Sequence, residues 1–174
     1  MILLRHGESE FNVVYNKTRQ DPGIRDPRLT ERGHHQAREA AQRLDKHGVK
    51  RTLVSPFTRA LQTAEALGLP TVIDPVIREH AAFGCDIGTP ASELTQHWPH
   101  HDFSHMDEYW WSADGESEKQ IRVRAERFRV MALDWPDNHE VVVVSHYGFI
   151  LALTGQTVKN CEMIFFDPRR SQPA

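Results

Sequence analysis

Val141-Val142-Val143-Val144-Ser145-His146 is the part of the chain on which the fold turns. Four β-branched residues in succession argue a strand covered on both faces, as in the middle of a parallel sheet. Upstream, Ser117-Glu118-Lys119-Gln120 fits a capping box, and the helix it starts carries Ile121, Ala125, Phe128 and Ala132 on one face. Downstream, Gly148 to Leu153 reads as a short helix and Met163-Ile164-Phe165-Phe166 as a last strand. At the N-terminus Ile2-Leu3-Leu4 reads as a buried strand ending where Arg5-His6-Gly7-Glu8-Ser9 begins. Residues 16–30, rich in Pro, Gly, Asp and Arg, read as a long loop. Thr30 is the expected N-cap of a helix to about His47, with Ala37, Ala40, Ala41 and Leu44 inward and Gly48 ending it. Arg51-Thr52-Leu53-Val54 reads as a second strand. Ser55-Pro56 then opens a helix, with Ser as cap, Pro in its first position and Ala60, Leu61, Ala64 and Leu67 buried. Thr71-Val72-Ile73 is a short strand, and residues 80–114 read as irregular. Strands alternating with helices predict a three-layer α/β/α sandwich with a mostly parallel central sheet. No repeat or linker divides it, so residues 1–174 are expected to form one domain.

Composition narrows the class. With 39% hydrophobic and 26% charged residues the chain is built to fold around a core. A net charge of −3 forces no basic face, so nucleic acid is not an expected partner. No apolar run approaches the ~20 residues of a membrane span, and Met1-Ile2-Leu3-Leu4-Arg5 is too short for a signal peptide. The expectation is a cytoplasmic protein with no membrane partner. Cys85 and Cys161 stand far apart and outside any metal-binding spacing, so neither a disulfide scaffold nor a cysteine zinc site is expected. No heptad pattern speaks to oligomeric state.

Chemistry gathers at strand ends. The first strand ends in Arg5-His6, the second leads to a helix whose first turn holds Arg59, and the valine strand ends in Ser145-His146. Ligands of open α/β sheets bind beyond the carboxyl ends of the strands. Two arginines and two histidines are therefore expected on one spot, with helix N-termini adding N–H donors, in a pocket for a tetrahedral dianion. Arginine forks can neutralise phosphoryl charge, and there is no obvious Asp cluster to hold magnesium, so neither metal nor cofactor is expected. A neutral imidazole can attack phosphorus and form a phosphohistidine. Glu79, after the third strand, is the candidate acid, on condition that its pKa is raised.

Leu4-Arg5-His6-Gly7-Glu8-Ser9 resembles the signature of the histidine phosphatase superfamily, the phosphoglycerate mutase-like proteins. Asn12, Leu29-Thr30-Glu31-Arg32-Gly33-His34-His35-Gln36-Ala37, Ser55-Pro56-Phe57-Thr58-Arg59-Ala60-Leu61-Gln62-Thr63-Ala64, Arg78-Glu79 followed by Gly84, Gly115-Glu116-Ser117 and Ser145-His146 continue the resemblance in order. It spans residues 2 to about 153. It implies His6 as phosphorylated nucleophile, Arg5, Arg59 and His146 as phosphoryl-binding groups, Asn12 as a contact and Glu79 as proton donor. Tyr147-Gly148 departs from the Gly-Gly or Gly-Asn of many relatives. A tyrosine there narrows the substrate site or supplies a hydroxyl to it.

Other residues carry two readings each. Glu8 orders the signature loop or, with Ser9 and Tyr147, contacts substrate. His97, His100, His101, His105, Asp102 and Asp107 suggest metal ligands, but their spacing matches no defined pattern, and a polar lid is the better reading. Trp98, Tyr109, Trp110 and Trp111 line a pocket for an apolar leaving group or pack the segment to the body; packing is favoured. Tyr15, Lys17 and Arg19 read substrate or are solvated. The leading expectation is a phosphoric monoester hydrolase of the histidine acid phosphatase type, acting on a small phosphorylated metabolite. A mutase, a protein phosphohistidine phosphatase and a binding module without turnover are the alternatives. The short span between Glu79 and Gly115 leaves little room for the inserted segment of longer mutases.

Overall fold

The computed structural model describes residues 1–170, so positions 171–174 of the expected domain lie outside it. Strands β1 (Ile2–Arg5), β2 (Arg51–Val54), β3 (Thr71–Ile73), β4 (Val141–Ser145) and β5 (Met163–Phe165) form one sheet in the order β3-β2-β4-β1-β5. β4 lies between β2 and β1, parallel to both, with Leu3 opposite Val143 and Leu53 opposite Val143. Only β5, on the edge, runs antiparallel. All five residues of β4 are buried, as its valine run predicts.

Alternate residues of each strand face opposite layers. Ile2, Leu4, Val54, Val142 and Val144 pack with Ala37, Ala40 and Leu44 of α2 (Glu31–Leu44) and with Ala60, Leu61 and Ala64 of α3 (Thr58–Glu65). Leu3, Leu53, Val141 and Val143 pack with Ala125, Phe128 and Ala132 of α5 (Glu118–Leu133) and with Phe149, Ile150 and Leu153 of α6 (Tyr147–Thr154). This is the three-layer sandwich the alternation predicts. Among the described residues no helix is long and apolar enough to cross a membrane.

Three local expectations are corrected. The loop expected over 16–30 begins later, because Ser9 caps a helix α1 (Glu10–Thr18). Ser9 Oγ accepts from Asn12 N–H while Asn12 Oδ1 accepts from Ser9 N–H, and this reciprocal pair starts the helix. Ser55 does not cap α3, whose N-cap is Phe57; its hydroxyl is used elsewhere, as described below. The segment 80–114, expected to be irregular, contains a 3-10 turn at Gly84–Asp86 and helix α4 (Ala91–His97).

The loop after β1 is clamped by the segment after Leu29. Thr30 Oγ1 accepts from Gly33 N–H and donates to Glu8 Oε1, and Gln36 Oε1 accepts from Glu8 N–H. A Cβ on Gly33 would stand 2.1 Å from the Glu8 carbonyl oxygen. Backbone cannot yield as a side-chain tip does. Gly33→Ala is therefore expected to destabilise the fold by about 2–4 kcal/mol, visible as a lowered Tm in thermal unfolding. A change below about 0.5 kcal/mol, the range of ordinary surface substitutions, would show that the clamp is not tight.

Candidate active site

The carboxyl ends of β1, β4 and β2 open into a cavity of about 950 Å³, whose lining includes Arg5, His6, Ser9, Asn12, Arg59, Glu79, Asp86 and Tyr147. His6 stands just past β1 and is 3% exposed. Its Nδ1 lies 2.7 Å from the Gly7 carbonyl oxygen. A carbonyl only accepts, so Nδ1 carries the proton and Nε2 keeps its lone pair. Burial, followed by the Arg59 and Arg5 charges, holds the imidazole pKa well below its ordinary value. The ring stays neutral and nucleophilic as a result.

Arg5 donates to the Val158 carbonyl at 2.9 Å and lies 5.4 Å from the centre of the Tyr147 ring. Its Nε is buried with no partner. Arg59, 3% exposed, donates to the Cys85 carbonyl at 3.0 Å and to Asp86 Oδ1 at 3.2 Å. Asp86 also accepts from the Ala82 and Phe83 N–H groups, so it joins the loop after Glu79 to the arginine. A buried pair of this kind fixes position more surely than it adds stability.

Glu79 follows the 3-10 turn Pro75–Ile77, and its Oε1 accepts from His80 N–H at 2.8 Å and Phe149 N–H at 3.2 Å. Gly148 makes this approach possible, since a Cβ there would stand 2.5 Å from Glu79 Oε1. Burial pushes the Glu79 carboxyl above the usual carboxylate value, and the Asp86 charge adds to the rise. The His80 N–H and the charges of Arg59 and Arg5 oppose it. The loop holding Glu79 is anchored by Arg124, which donates to the carbonyls of Val76, Arg78 and Glu79 and pairs with Glu116. Burial alone would raise the Glu116 carboxyl, but the Arg124 hydrogen bond and the Arg124 and Arg78 charges hold it low.

His146 is fully buried behind His6, with ring centroids 5.0 Å apart, and does not line the cavity. Its Nε2 shares a 2.8 Å hydrogen bond with Ser55 Oγ, while Nδ1 is buried without a partner. Burial, then the charges of Arg59 and Arg5, keep it neutral. Asn12 Oδ1 accepts from both Ser9 N–H and Asn160 Nδ2, so only the Asn12 amide NH2 remains to serve a ligand.

The structure thus gathers Arg5, His6, Asn12, Arg59, Glu79 and Tyr147 around one cavity, with His146 behind. Glu8 does not line it: its carboxylate faces Thr30 and Arg32, the ordering role of the two expected. One N–H at each of two helix N-termini is engaged by a carboxyl group, Thr58 N–H by Asp26 and Phe149 N–H by Glu79. Tyr15 and Arg19 line the cavity; Lys17 does not. Trp98, Trp110 and Trp111 pack against the core around α3, and Tyr109 is exposed. Cys85 and Cys161 are buried free thiols, and burial pushes Cys161 up to about 12. The histidine-rich segment does not converge as a set. His105 meets the Ile73 carbonyl, and only His100 and His101 approach one carboxylate, Glu65, outside the cavity. Asp86, Ser55, Arg124 and Asn160 escaped the sequence reading. Only Ser55 had a signal, since its motif was quoted but its hydroxyl was assigned to a helix cap.

Comparison with known proteins identifies the family. Residues 1–167 match the histidine phosphatase superfamily (branch 1). The chain belongs to this superfamily. A probable phosphoglycerate mutase of Serratia proteamaculans (strain 568) is 41% identical over 81 residues, 44% of this chain and only 36% of that protein. Another, from Enterobacter sp. (strain 638), is 29% identical over 172 residues, 90% of this chain and 73% of that protein. The chain thus spans about a third of the first relative and about three quarters of the second. Among solved structures, mycobacterial glucosyl-3-phosphoglycerate phosphatase in complex with VO3 superposes with a TM-score of 0.63 at 25% identity, covering 94% of this chain and 88% of that one. A protein described as mycobacterial hydrolase 1 gives 0.65 at 25% identity, covering 94% and 86%. Proteins similar to this chain therefore include both probable mutases and a phosphatase.

One consequence concerns pH. A site in which His6 attacked phosphorus and Glu79 supplied the proton would need His6 neutral and Glu79 protonated. Lowering the His6 pKa extends that window to lower pH, and raising the Glu79 pKa extends it to higher pH. Asp86→Asn removes a charge that raises Glu79, so the basic limb of the kcat/KM profile for an alkyl phosphate is expected to move to lower pH. The acid limb follows His6 and moves less. Rates are compared where circular dichroism shows the variant folded, because unpairing a buried charge costs about 3–5 kcal/mol. A basic limb that stays put or rises would remove Asp86 from this role.

Proposed function

We propose that the protein is a phosphomonoester hydrolase that works through a phosphohistidine on a small phosphorylated metabolite, without a metal. The observation that carries this reading is the His6 ring: its Nδ1–H is held by the Gly7 carbonyl, its Nε2 is free, and burial keeps it neutral beside two arginines. In the first step Nε2 forms a bond to phosphorus as the P–O bond to the alcohol breaks, and the Glu79 proton passes to the departing oxygen. In the second, water attacks phosphorus, the N–P bond breaks, and Glu79 recovers a proton. Arg5 and Arg59 stabilise the charge on the equatorial oxygens, with Arg59 exchanging its bond to Asp86 for the phosphoryl group. The Asn12 amide adds a donor. His146 supports the His6 ring from behind. In this reading nucleophile and acid lie in one cytoplasmic chain with no resident cofactor.

The similarity to probable mutases supports a second outcome, return of the phosphoryl group to another hydroxyl. Rapid quench of the enzyme with 32P-labelled substrate in excess chelator separates the readings. Label on His6, lost in acid and kept in alkali, followed by stoichiometric inorganic phosphate, is the expected result. Label that returns to an isomer of the substrate supports the mutase. Absence of label on the protein overturns both, and loss of activity on chelation overturns the metal-free part.

A further inference from the structure

The cavity is larger than a phosphoryl group requires. Its volume of about 950 Å³ is at the upper end of the roughly 300–1,000 Å³ of sites that take drug-sized ligands. Arg5, His6, Arg59 and Glu79 serve the phosphoryl end. Beyond them the lining includes Phe11, Tyr15, Phe83, Ile121, Tyr147 and Leu151. Phe11 and Tyr15 stack at 5.1 Å, and Phe83 meets the two rings at 5.5 and 5.1 Å. Phe83 is 41% and Tyr147 38% exposed and both line the cavity, with Arg5 over one side of the Tyr147 ring at 5.4 Å.

Besides the Tyr15 and Tyr147 hydroxyls, the polar groups of this part of the cavity are engaged by the protein or belong to exposed residues. His80 Nε2 is taken by the Glu116 carbonyl, and Asp86 by Arg59. Asn16, Arg19, Glu118 and Arg122 are exposed residues at the solvent side. A polyhydroxylated leaving group would set its hydroxyls against carbon and lose their hydrogen bonds to water. A flat apolar group would bury its surface against the rings instead.

We infer that the alcohol released by this enzyme carries an aromatic or similarly flat apolar body, held against Phe83 and Tyr147. The inference rests on the hydrolase reading above. Unlike the tryptophans considered for this role in the sequence, these rings adjoin the phosphoryl cradle directly.

The test uses three non-hydrolysable phosphonates, propyl, 3-phenylpropyl and 3,4-dihydroxybutyl, titrated calorimetrically into the native enzyme. The phenyl compound is expected to bind at least about tenfold more tightly than the other two, with a more negative heat-capacity change. The matching phosphates, 3-phenylpropyl and propyl, have leaving alcohols of similar acidity, so their kcat/KM ratio is expected to favour the phenyl compound by a similar factor. Phe83→Ser should bring both ratios toward one, and Phe83→Leu should keep most of the preference. Equal affinities, or tightest binding of the dihydroxy compound, would overturn the inference and leave the hydrolase reading intact. If no phosphonate binds and no phosphate is released from p-nitrophenyl phosphate, the hydrolase reading fails and the inference fails with it.

Discussion

His6→Ala is expected to abolish turnover, with kcat lower by about 10⁴–10⁶-fold, the scale on which removal of a nucleophile acts. The size of the effect follows from the geometry. No second unprotonated nitrogen is placed to replace Nε2: His146 does not line the cavity, and its Nε2 is tied to Ser55. The variant should still bind vanadate, because Arg5, Arg59 and Asn12 remain. It should show no labelled protein after rapid quench with 32P-labelled substrate. Phosphate release within tenfold of the native rate would remove His6 from the role of nucleophile. Retained vanadate binding also separates loss of chemistry from loss of fold.

Glu79→Gln is expected to act according to the leaving group. Glutamine keeps an oxygen for the His80 and Phe149 N–H groups that hold Glu79 in place. What it lacks is the transferable proton. For an alkyl phosphate, whose alkoxide leaves poorly, kcat/KM should fall by about 10²–10⁴-fold. For p-nitrophenyl phosphate, whose phenolate needs little help, it should fall much less, by less than about tenfold. The basic limb of the alkyl profile should disappear with the proton. Equal losses on the two substrates would show that Glu79 orders the site but does not act as its acid.

The positions of these residues were legible because Arg5 and His6 stand at the end of β1, Arg59 in the first turn of the helix after β2 and Glu79 in the loop after β3. Local apolar runs fix those ends, and the topology of a parallel sheet brings them to one edge. The family motifs named the same residues. Helix α1 was missed because its capping box uses Asn12 in place of Glu or Gln. Ser55 was misassigned for a related reason. Ser-Pro is a sound local signal for a helix start, but the Ser55 hydroxyl finds His146, 91 residues away. Other misses are similarly distant in sequence: Arg59 and Asp86 are 27 residues apart, Arg124 and Glu79 are 45, and Asn160 and His6 are 154.

By itself the sequence determined the layers of this protein and the edge at which its reactive residues gather. Strand and helix identities rest on interactions between near neighbours: β-branched runs, caps and helical periodicity. Tertiary structure alone decided the charge state and the partners of those residues. It placed Asp86 on Arg59, lifted the Glu79 carboxyl, kept both histidines neutral, engaged one N–H at each of two helix N-termini with a carboxyl group and set an aromatic wall beside the phosphoryl site. Coulomb forces and desolvation act through space, so they depend on which groups the fold buries together and not on their order along the chain.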